Sequence, residues 1–467
     1  MADFESKHRL GGARRSALLA GLKGAIAREG STGLLGHRSS KNQPAAESFA
    51  KLPGLESIRV QKSVAAKLGI DVPFYRLHEA RAGRTTLVDG RHCTNFTSYD
   101  YLSLNGHDRI TQAVVEAAQQ WGTSVSASRL TSGERPAHRA LEGELARLYG
   151  AEEALVFVSG HATNLATIAT ITGPRDLILH DALSHNSIVL GAQVSGAARM
   201  NFPHNDLEAL EALLERHRRD YRHCLIVTEG HFSMDGDGPD LARLVEIKER
   251  HASWLMIDEA HSLGVLGRRG LGIFEHCDVD PARVDIWMGT LSKTLVSCGG
   301  YIAGRRDLID ALKFSAPGMV YSVGLPVPSA VAALTALDIM LAEPERVARL
   351  QANGRYLLRR AQELKLDTGT SWGFAVIPII LGDSLRTVLL SDALMRRDFA
   401  TVPVFPPGVP ERMARLRLFL ASDHEPADID ALLEAIVAAQ EDVSRSGLSI
   451  PAIVAKTIAS RTIGEGE

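Results

Sequence analysis

The sequence predicts an α/β protein, in which a large domain built on an open, mainly parallel sheet is followed by a smaller α+β domain. Two patterns lead to this prediction. From about residue 105, short apolar runs alternate with helical stretches, as in βαβ units around a parallel sheet. After about residue 345, two longer apolar runs and a final helical stretch form a separate group. A chain of 467 residues is long enough for two or three domains.

Composition is typical of a globular enzyme. Hydrophobic residues make up 45% of the chain and charged residues 23%, as in ordinary soluble proteins. The net charge of −3 gives no electrostatic reason to expect nucleic acid, and no apolar run reaches the roughly 18 residues of a membrane span. The four cysteines form no CxxC pair and no HExxH motif occurs. We therefore expect no metal site, a reducing compartment and a cytoplasmic protein.

Composition also divides the chain into five expected segments. These are an N-terminal extension over residues 1–73, a segment with a hairpin over residues 74–104, a large domain over residues 105–345, a small domain over residues 346–445 and a tail over residues 446–467. Within the extension, Arg14 to Lys23 is short, basic and amphipathic. It lacks a secretory signal, and weak contact with a membrane surface is an alternative to a solvated helix or linker there.

The elements of the large domain can be placed in order. Thr85–Val88 and His92–Phe96 flank Asp89-Gly90-Arg91, which predicts a hairpin. Helical patterns cover Ala137–Tyr149 and Asp206–Arg219. The predicted strands of the large sheet are Ala154–Val158, Leu177–Leu179, Leu225–Thr228, Leu255–Ile257 and Ile286–Met288. Because ligands of such sheets gather beyond the carboxyl ends of the strands, we expect the site at that edge.

The small domain follows a long helical pattern near Val331 to Leu350. Phe374–Leu381 and Arg415–Leu420 are its predicted strands, with a Pro-rich turn over Val402–Pro410 between them. A helix is predicted around Ala427 to Val443. Strands and helices mixed in this way favour an α+β unit.

Three polar residues follow neighbouring apolar runs. Asp258 and His261 follow Leu255–Ile257, and Lys293 follows Ile286–Met288. A lone lysine is usually a surface charge, but a buried lysine has a lowered pKa and is then a nucleophilic amine. An acid, a histidine and a lysine at one sheet edge suit a pyridoxal 5'-phosphate (PLP) site, where the lysine forms a Schiff base and the acid pairs with the pyridinium nitrogen.

Two further segments follow predicted strands. Val158 to Asn164 opens a helix with a glycine, and such a helix N-terminus binds phosphate through its N–H groups. A plain strand-to-helix connection is the alternative. Glu229 to Asp237 has the glycines and acids of a strand-to-loop edge, and an ordinary turn is the alternative.

Together these segments resemble the α-oxoamine synthase family of fold-type-I PLP enzymes, whose members include 8-amino-7-oxononanoate synthase and serine palmitoyltransferase. The similarity runs from about Phe74 to about Val443. The wording of four motifs is most similar to the subgroup found with polyketide synthases: Tyr99 to Leu102, Gly122 to Arg129, Ser159 to Asn164 and Trp287 to Lys293. The resemblance implies a fold-type-I PLP-dependent transferase fold and a role in lipid or polyketide biosynthesis.

The resemblance also implies a role for each residue around the cofactor ring. Lys293 matches the Schiff-base lysine and Asp258 the acid at the pyridinium nitrogen. His185 matches the histidine that stacks on the ring. His261 and Ser233 match the residues beside the phenolic oxygen.

The phosphate and substrate residues follow from the same resemblance. Thr290 and the backbone N–H groups of Gly160 and His161 match phosphate ligands. Ser322 matches a region that reaches the phosphate of the neighbouring subunit, which implies a homodimer with shared sites. Arg417 matches the arginine that grips the substrate carboxylate, a task suited to a bidentate guanidinium.

Two positions bear on which amino acid is used. Tyr99 stands where many relatives have an asparagine that helps to hold the amino acid, so the contacts to its carboxylate differ here. Ser128 stands where glycine-specific relatives have a threonine that crowds the pocket. A serine leaves more room, which favours serine or alanine over glycine as the substrate.

The activity implied is a decarboxylative condensation of a small L-amino acid with an acyl thioester, on coenzyme A or a carrier protein, which yields an α-amino ketone. Lys293 would take the Cα proton. An aminotransferase or aldolase of the same fold type and a non-catalytic partner subunit are alternatives. An ATPase is disfavoured, since a P-loop needs a glycine where Ser292 precedes Lys293. The acyl chain and its carrier stay open.

Overall fold

A computed structural model describes residue 49 and residues 52–445. The basic segment Arg14 to Lys23, the rest of the predicted extension up to residue 48 and the predicted tail over residues 446–467 lie outside the described residues. Helix α1 (Leu55–Leu68) is the first element. It falls inside the predicted extension, so regular structure begins earlier than the composition indicates.

A hairpin follows α1. Strands β1 (Thr85–Val88) and β2 (Arg91–Asn95) pair antiparallel, as predicted. The two residues between them, Asp89 and Gly90, have φ values of 48° and 75°. Two consecutive positive φ angles are the geometry of a type I′ turn, in which Asp-Gly is favoured because it tolerates this conformation.

The large sheet has seven strands in the order β3-β9-β8-β7-β6-β4-β5. They are β3 (Glu153–Phe157), β4 (Leu177–Asp181), β5 (Ala198–Phe202), β6 (Cys224–Glu229), β7 (Trp254–Asp258), β8 (Ile286–Thr290) and β9 (Gly300–Gly304). All pairings are parallel except the two that β9 makes with β3 and β8. The prediction of an open, mainly parallel sheet is confirmed.

Two strands were not predicted, for different reasons. β5 lies at the edge of the sheet and alternates between half-buried and exposed positions, so it has no continuous apolar run. β9 is short and has a glycine at each end. The glycine at its start is required, because a Cβ on Gly300 would lie 2.7 Å from the Cα of Gly160.

Helices cover both faces of the sheet. Those of the large domain are α2 (Asp108–Trp121), α3 (Pro136–Leu148), α4 (Gly160–Ile171), α5 (Asn186–Ser195), α6 (Leu207–His217), α7 (Leu241–Arg250), α8 (Ile273–His276), α9 (Arg306–Ser315), α10 (Pro317–Val320) and α11 (Val327–Ala342). Leu225 and Met256 pack into one buried cluster with α4, α5 and α9. Their chain neighbours Ile226 and Ile257 pack into a second with α3, α6, α7 and α11. Since alternate strand residues face opposite sides, the domain has three α/β/α layers.

The small domain begins with α12 (Pro344–Glu363), so the predicted helix near Val331 to Leu350 is two helices that meet at Glu343. Its other elements are β10 (Val376–Gly382), α13 (Ser384–Met395), β11 (Phe399–Ala400), β12 (Val402–Val404), β13 (Ala414–Phe419) and α14 (Pro426–Arg445). β13 lies between β10 and β12 in an antiparallel sheet. β11 pairs with β2, so the N-terminal hairpin packs with the small domain.

The described part of the chain has neither a single membrane-spanning helix nor a metal-binding cluster. No single helix there is long and apolar enough to cross a membrane; α11 and α12, whose axes differ by 79°, reach the length and composition only as a bent pair. No group of three or more His, Cys, Asp or Glu residues there is arranged to hold a metal ion.

Candidate active site

Five loops of the large domain meet at one edge of its sheet. β3, β4, β6, β7 and β8 point the same way, so their carboxyl ends lie together. Gly160 follows β3, His185 follows β4, Ser233 follows β6, Asp258 ends β7 and Lys293 follows β8. The topology therefore brings residues more than 130 positions apart to one place, which is where parallel sheets bind ligands.

The Lys293 amine is half-buried among charged groups. Burial lowers its pKa from 10.5 to about 8, the carboxylates of Asp258 and Glu229 act in the opposite direction, and Arg417 lowers it further. Its Nζ lies 5.8 Å from the ring centroid of Tyr99. A lysine with this pKa has a substantial neutral fraction near neutral pH, which is the form that attacks a carbonyl.

The Asp258 carboxylate is buried and held by two donors. Its Oδ2 accepts a hydrogen bond of 2.8 Å from Asn164 Nδ2, and its Oδ1 accepts one of 2.9 Å from the backbone N–H of Ala260. Asn164 lies on α4 and β7 carries the aspartate, so two elements fix the direction of the carboxylate.

His185 caps the start of α5. Its Nδ1 lies 2.7 Å from Ser187 Oγ and 3.3 Å from the Ser187 backbone N–H, which donates to it. Ser187 Oγ in turn accepts from Asn164 Nδ2 at 2.9 Å. Burial lowers the pKa of His185. The Asp258 carboxylate acts to raise it, and Lys293 and His161 lower it further. The imidazole is therefore mostly neutral near pH 7 and partly open to solvent, as a ring that stacks on an aromatic ligand needs to be.

His261 lies deeper in the site. Its Nδ1 is 2.6 Å from the hydroxyl of Tyr101, and its ring stacks on Phe419 with centroids 6.3 Å apart. Burial, and then the cations Lys293 and Arg417, hold its pKa well below the usual range. With Nδ1 bound to Tyr101, Nε2 is the ring atom left for a ligand.

The start of α4 forms a bare backbone surface next to Thr290. A Cβ on Gly160 would lie 2.9 Å from Thr290 Oγ1, so only a glycine fits there. Gly160 and His161 are in the first turn of a 12-residue helix, whose N–H groups have no intrahelical acceptor. This N-terminus beside a hydroxyl can bind a phosphate.

Arg417 reaches the site from β13 of the small domain. Its Nη1 donates to the Ser233 carbonyl at 3.4 Å and its Nη2 to the Tyr99 hydroxyl at 3.3 Å, while the guanidinium lies 4.6 Å from the Phe419 ring centroid. Its Nε is buried and has no partner among the described residues. A buried donor without an acceptor costs free energy, so this atom fits an anionic ligand.

Two predicted residues do not join this group. Ser128 Oγ donates to the Val320 carbonyl at 2.8 Å, and Ser322 Oγ donates to the Val323 carbonyl at 3.1 Å. Among the described residues, neither hydroxyl hydrogen-bonds to Lys293. Ser322 belongs to the segment from Met319 to Val323, whose Tyr321 is 87% exposed, and Ser128 lies beside that segment.

Three residues around the site were given no role from the sequence. Asn164 joins His185, through Ser187, to Asp258, and Tyr101 orients His261. Glu229 accepts from the His185 backbone N–H at 2.7 Å, and burial and the nearby Asp258 raise its pKa to about 8. Asn164 and Tyr101 belong to motifs named in the sequence analysis. The residues that they contact in the site, Asp258 and His261, lie 94 and 160 positions away, so no local pattern predicts these contacts.

The residues fit PLP. A lysine with a lowered pKa, a fixed carboxylate, a neutral histidine and a helix N-terminus beside a threonine match its aldehyde, ring nitrogen, ring face and phosphate. Lys293, Asp258, His185, Gly160 and Thr290 would hold these parts in that order. The unpartnered Nε of Arg417 then remains for a substrate carboxylate.

Comparison with known proteins gives one family. The family described as aminotransferase class I and II matches residues 91–436. An 8-amino-7-oxononanoate synthase of Methylobacterium nodulans is 40% identical over 395 residues, which cover 84% of this chain and 97% of the relative.

Solved structures give the same picture. The serine palmitoyltransferase of Sphingomonas wittichii superposes with a TM-score of 0.81 at 26% identity, covering 85% of this chain and 99% of that one. A serine palmitoyltransferase from S. paucimobilis with PLP bound as an adduct with myriocin has a TM-score of 0.81 at 25% identity, over 85% of this chain and 100% of that one.

Proposed function

Because the chain belongs to the aminotransferase class I and II family, and within it to the α-oxoamine synthases, we propose that it joins the Cα of serine or alanine to the acyl carbon of a thioester, with glycine a poorer substrate. At the coarser level, the protein is a PLP-dependent acyltransferase that condenses an amino acid with an acyl thioester. The products of the proposed reaction are an α-amino ketone, CO2 and the free thiol.

One observation carries this proposal. Lys293, with a pKa near 8, the fixed carboxylate of Asp258 and the buried, unpartnered Nε of Arg417 converge at one sheet edge. The first two suit a cofactor and a proton transfer, and the third suits a carboxylate. An amino acid presents a carboxylate and an acidifiable Cα–H bond on the same carbon.

The cofactor and the chain divide the chemistry. When bound, PLP supplies a sink for the electron pair left at Cα. Lys293 would hold the cofactor through its amine until the substrate amine displaces it, and the freed amine would then take the Cα proton and return one to the same carbon after CO2 leaves. Asp258 would face the ring nitrogen and favour its protonated form, and His261 and Ser233 would contact the phenolic oxygen. Thr290 and the N–H groups of Gly160 and His161 bind the phosphate.

Orientation of the amino acid depends on the small domain. Arg417 grips the substrate carboxylate and so sets which Cα bond faces Lys293. Tyr99 takes part through its hydroxyl, which already contacts Arg417. His185 would stack on the cofactor ring and exclude water from that face. A structural neighbour named for serine supports serine as the amino acid.

A homodimer with shared sites is part of the proposal. Tyr321 and Val323 flank Ser322 and are 87% and 48% exposed, and exposed apolar side chains of this size favour burial against another chain. Ser322 would reach the phosphate of the neighbouring subunit, and Ser128 lies beside the same segment. The mass of the protein measured by light scattering should be twice that of one chain. We also infer a cytoplasmic location, which the four unpaired cysteines support.

The test is a matrix of amino acids against acyl thioesters. The PLP-loaded protein is mixed with serine, alanine or glycine and with acyl chains on coenzyme A or on a carrier protein, and CO2 and free thiol are measured. We expect one CO2 for each thiol, with serine or alanine fastest and no turnover in Lys293→Ala. Keto acid without thiol release would instead identify an aminotransferase, and aldehyde release an aldolase.

A further inference from the structure

A charged cluster lies next to the site but outside the residues assigned to it. The imidazole of His204, which follows β5, lies between two buried carboxylates. Its Nδ1 is 2.9 Å from Asp181 Oδ1, and its Nε2 is 3.1 Å from Asp237 Oδ2. His204 Nε2 also lies 3.3 Å from Asn205 Nδ2, farther than from the two Asp237 oxygens at 3.2 and 3.1 Å. A ring whose two nitrogens each lie closest to a carboxylate donates at both, and only the protonated imidazolium has two N–H groups. In agreement, hydrogen bonds to both acids raise the pKa of His204 to about 10 against the opposing effect of burial.

Asp181 organises the turn that leads to His185. Besides His204, its Oδ1 accepts from the backbone N–H of Leu183 at 2.7 Å, and its Oδ2 accepts from that of Asn205 at 2.8 Å. The Asp181 carbonyl accepts from Ser184 N–H at 3.1 Å. Of the three residues between the end of β4 and His185, Leu183 and Ser184 are therefore held through this one aspartate.

Asp237 closes the loop that carries Ser233. Its backbone carbonyl accepts from Phe232 N–H at 2.8 Å, so residues 232–237 form a closed loop. Its carboxylate faces His204 and accepts from Thr370 Oγ1 at 2.5 Å. The Phe232 ring also packs edge-on against the His204 ring, with centroids 4.4 Å apart.

We propose that His204 is a positioning residue that, as an imidazolium between Asp181 and Asp237, sets the distance between the segment carrying His185 and the segment carrying Ser233. This inference rests on the proposed roles of those two residues. The two segments come from different strands, and the His204 ring joins one acid of each. Without the cation, two buried carboxylates would face each other with no counter-charge, and like charges in that setting repel.

The test compares His204→Gln with His223→Gln. Glutamine keeps a polar side chain but no charge. His223 is a matched control, because its half-buried ring packs on Trp254 with centroids 4.6 Å apart at the opposite end of β6. Asp237→Asn, which keeps the volume and removes one charge, is a second variant in case His204→Gln does not fold.

The first measurement is amide hydrogen exchange in the cofactor-free protein, which does not depend on any reaction. We expect exchange to rise roughly tenfold in both the 181–186 and the 230–237 peptides of His204→Gln, as the loss of charge-assisted hydrogen bonds would produce. His223→Gln should leave both peptides unchanged. Unchanged exchange in either peptide of folded His204→Gln and Asp237→Asn would overturn the inference.

The second measurement is the visible circular dichroism of bound PLP, a signal that depends on how the surrounding residues are placed. We expect a reduced band in His204→Gln and an unaltered one in His223→Gln at equal melting temperature. If both peptides loosen but the band stays the same, the cluster is structural only and the positioning role is wrong. If the peptides loosen in a protein that proves to catalyse another reaction, only the proposed function fails.

Discussion

At the scale of single residues, the site depends on groups whose pKa values are moved by their surroundings. Burial lowers the pKa of Lys293 and of His185 and raises that of Glu229. In each case the protein disfavours the charged form, because neighbouring protein atoms replace part or all of the water around the group. A neutral lysine and a neutral histidine are what carbonyl capture and ring stacking require.

The pKa of Lys293 gives a pH prediction for the cofactor-free protein. A pKa of about 8 in place of 10.5 means that the amine is mostly protonated below pH 8 and mostly neutral above it. Labelling of Lys293 with acetic anhydride, followed by mass spectrometry, should therefore rise through pH 8 and level off by about pH 9. Exposed Lys365 serves as the comparison in the same digest. A midpoint for Lys293 above pH 10 would contradict the assignment.

Arg417 gives a prediction about binding. Arg417→Lys keeps the charge but loses the planar fork that holds a carboxylate with two hydrogen bonds. The KM for the amino acid should rise by roughly tenfold to a hundredfold, the loss expected for a charged hydrogen bond, while the KM for the thioester changes little. Steady-state kinetics with each substrate varied in turn measures both. Equal rises in the two KM values would show that Arg417 acts on the fold and not on the carboxylate.

At the scale of elements, the loop from Phe232 to Asp237 of the large domain forms hydrogen bonds with the small domain. Arg415 and Arg417 are two positions apart on β13, so they point to the same side of the strand. Arg415 donates to Asp235 and to the Met234 carbonyl, and Arg417 donates to the carbonyl of Ser233. The loop after β6 is thus held by hydrogen bonds from one strand of the small domain. The position of Arg417 depends on these contacts.

Gly236 allows the close approach of this loop to β10. It has a φ of +70°, and a Cβ there would lie 2.0 Å from the Val376 carbonyl oxygen. Gly236→Ala should therefore lower the free energy of unfolding by more than about 2 kcal/mol, through both strain and overlap. Gly143→Ala is the control, because this glycine lies inside α3 with open space around it. That change should stabilise by about 0.5–1 kcal/mol. Urea unfolding measures both, and equal effects would contradict the overlap.

At the scale of the whole molecule, a buried ion pair joins the domains across the site. Arg415 is 1% exposed, and its Nη1 lies 2.6 Å from Asp235 Oδ1. The hairpin of β1 and β2 adds a second link, because it pairs with β11 and so ties the N-terminal segment to the small domain. The active site therefore lies at a junction that both domains must complete.

Breaking this ion pair should be costly. Arg415→Met fills the space but leaves Asp235 buried without its cation, and removal of one partner of a buried pair costs about 3–5 kcal/mol. Urea unfolding should show this loss. In steady-state kinetics, the KM for the amino acid should rise less in Arg415→Met than in Arg417→Lys. Arg445→Met, at an exposed pair with Glu441, should change the free energy of unfolding little. Similar effects of the two variants would contradict the structural role of Arg415.

Local pattern was sufficient wherever the signal lay within a few residues. Asp89-Gly90 predicts the hairpin turn, because only certain residues accept two positive φ angles. Apolar runs predict β4, β6, β7 and β8, because a parallel sheet buries both faces of its strands. This pattern does not predict edge strand β5 or glycine-bounded β9, since neither has a continuous apolar run of that length.

What the sequence by itself determined is the α/β order of elements, the family and the residue types at the strand ends, because each depends on local periodicity or on motif wording. What only the tertiary structure decided is which groups meet. Asn164 fixes Asp258 from 94 positions away, and Arg417 faces the loop of Ser233 from 184 positions away. His204 joins Asp181 to Asp237. Such pairings are set by strand order and domain packing, which bring together positions that are far apart along the chain.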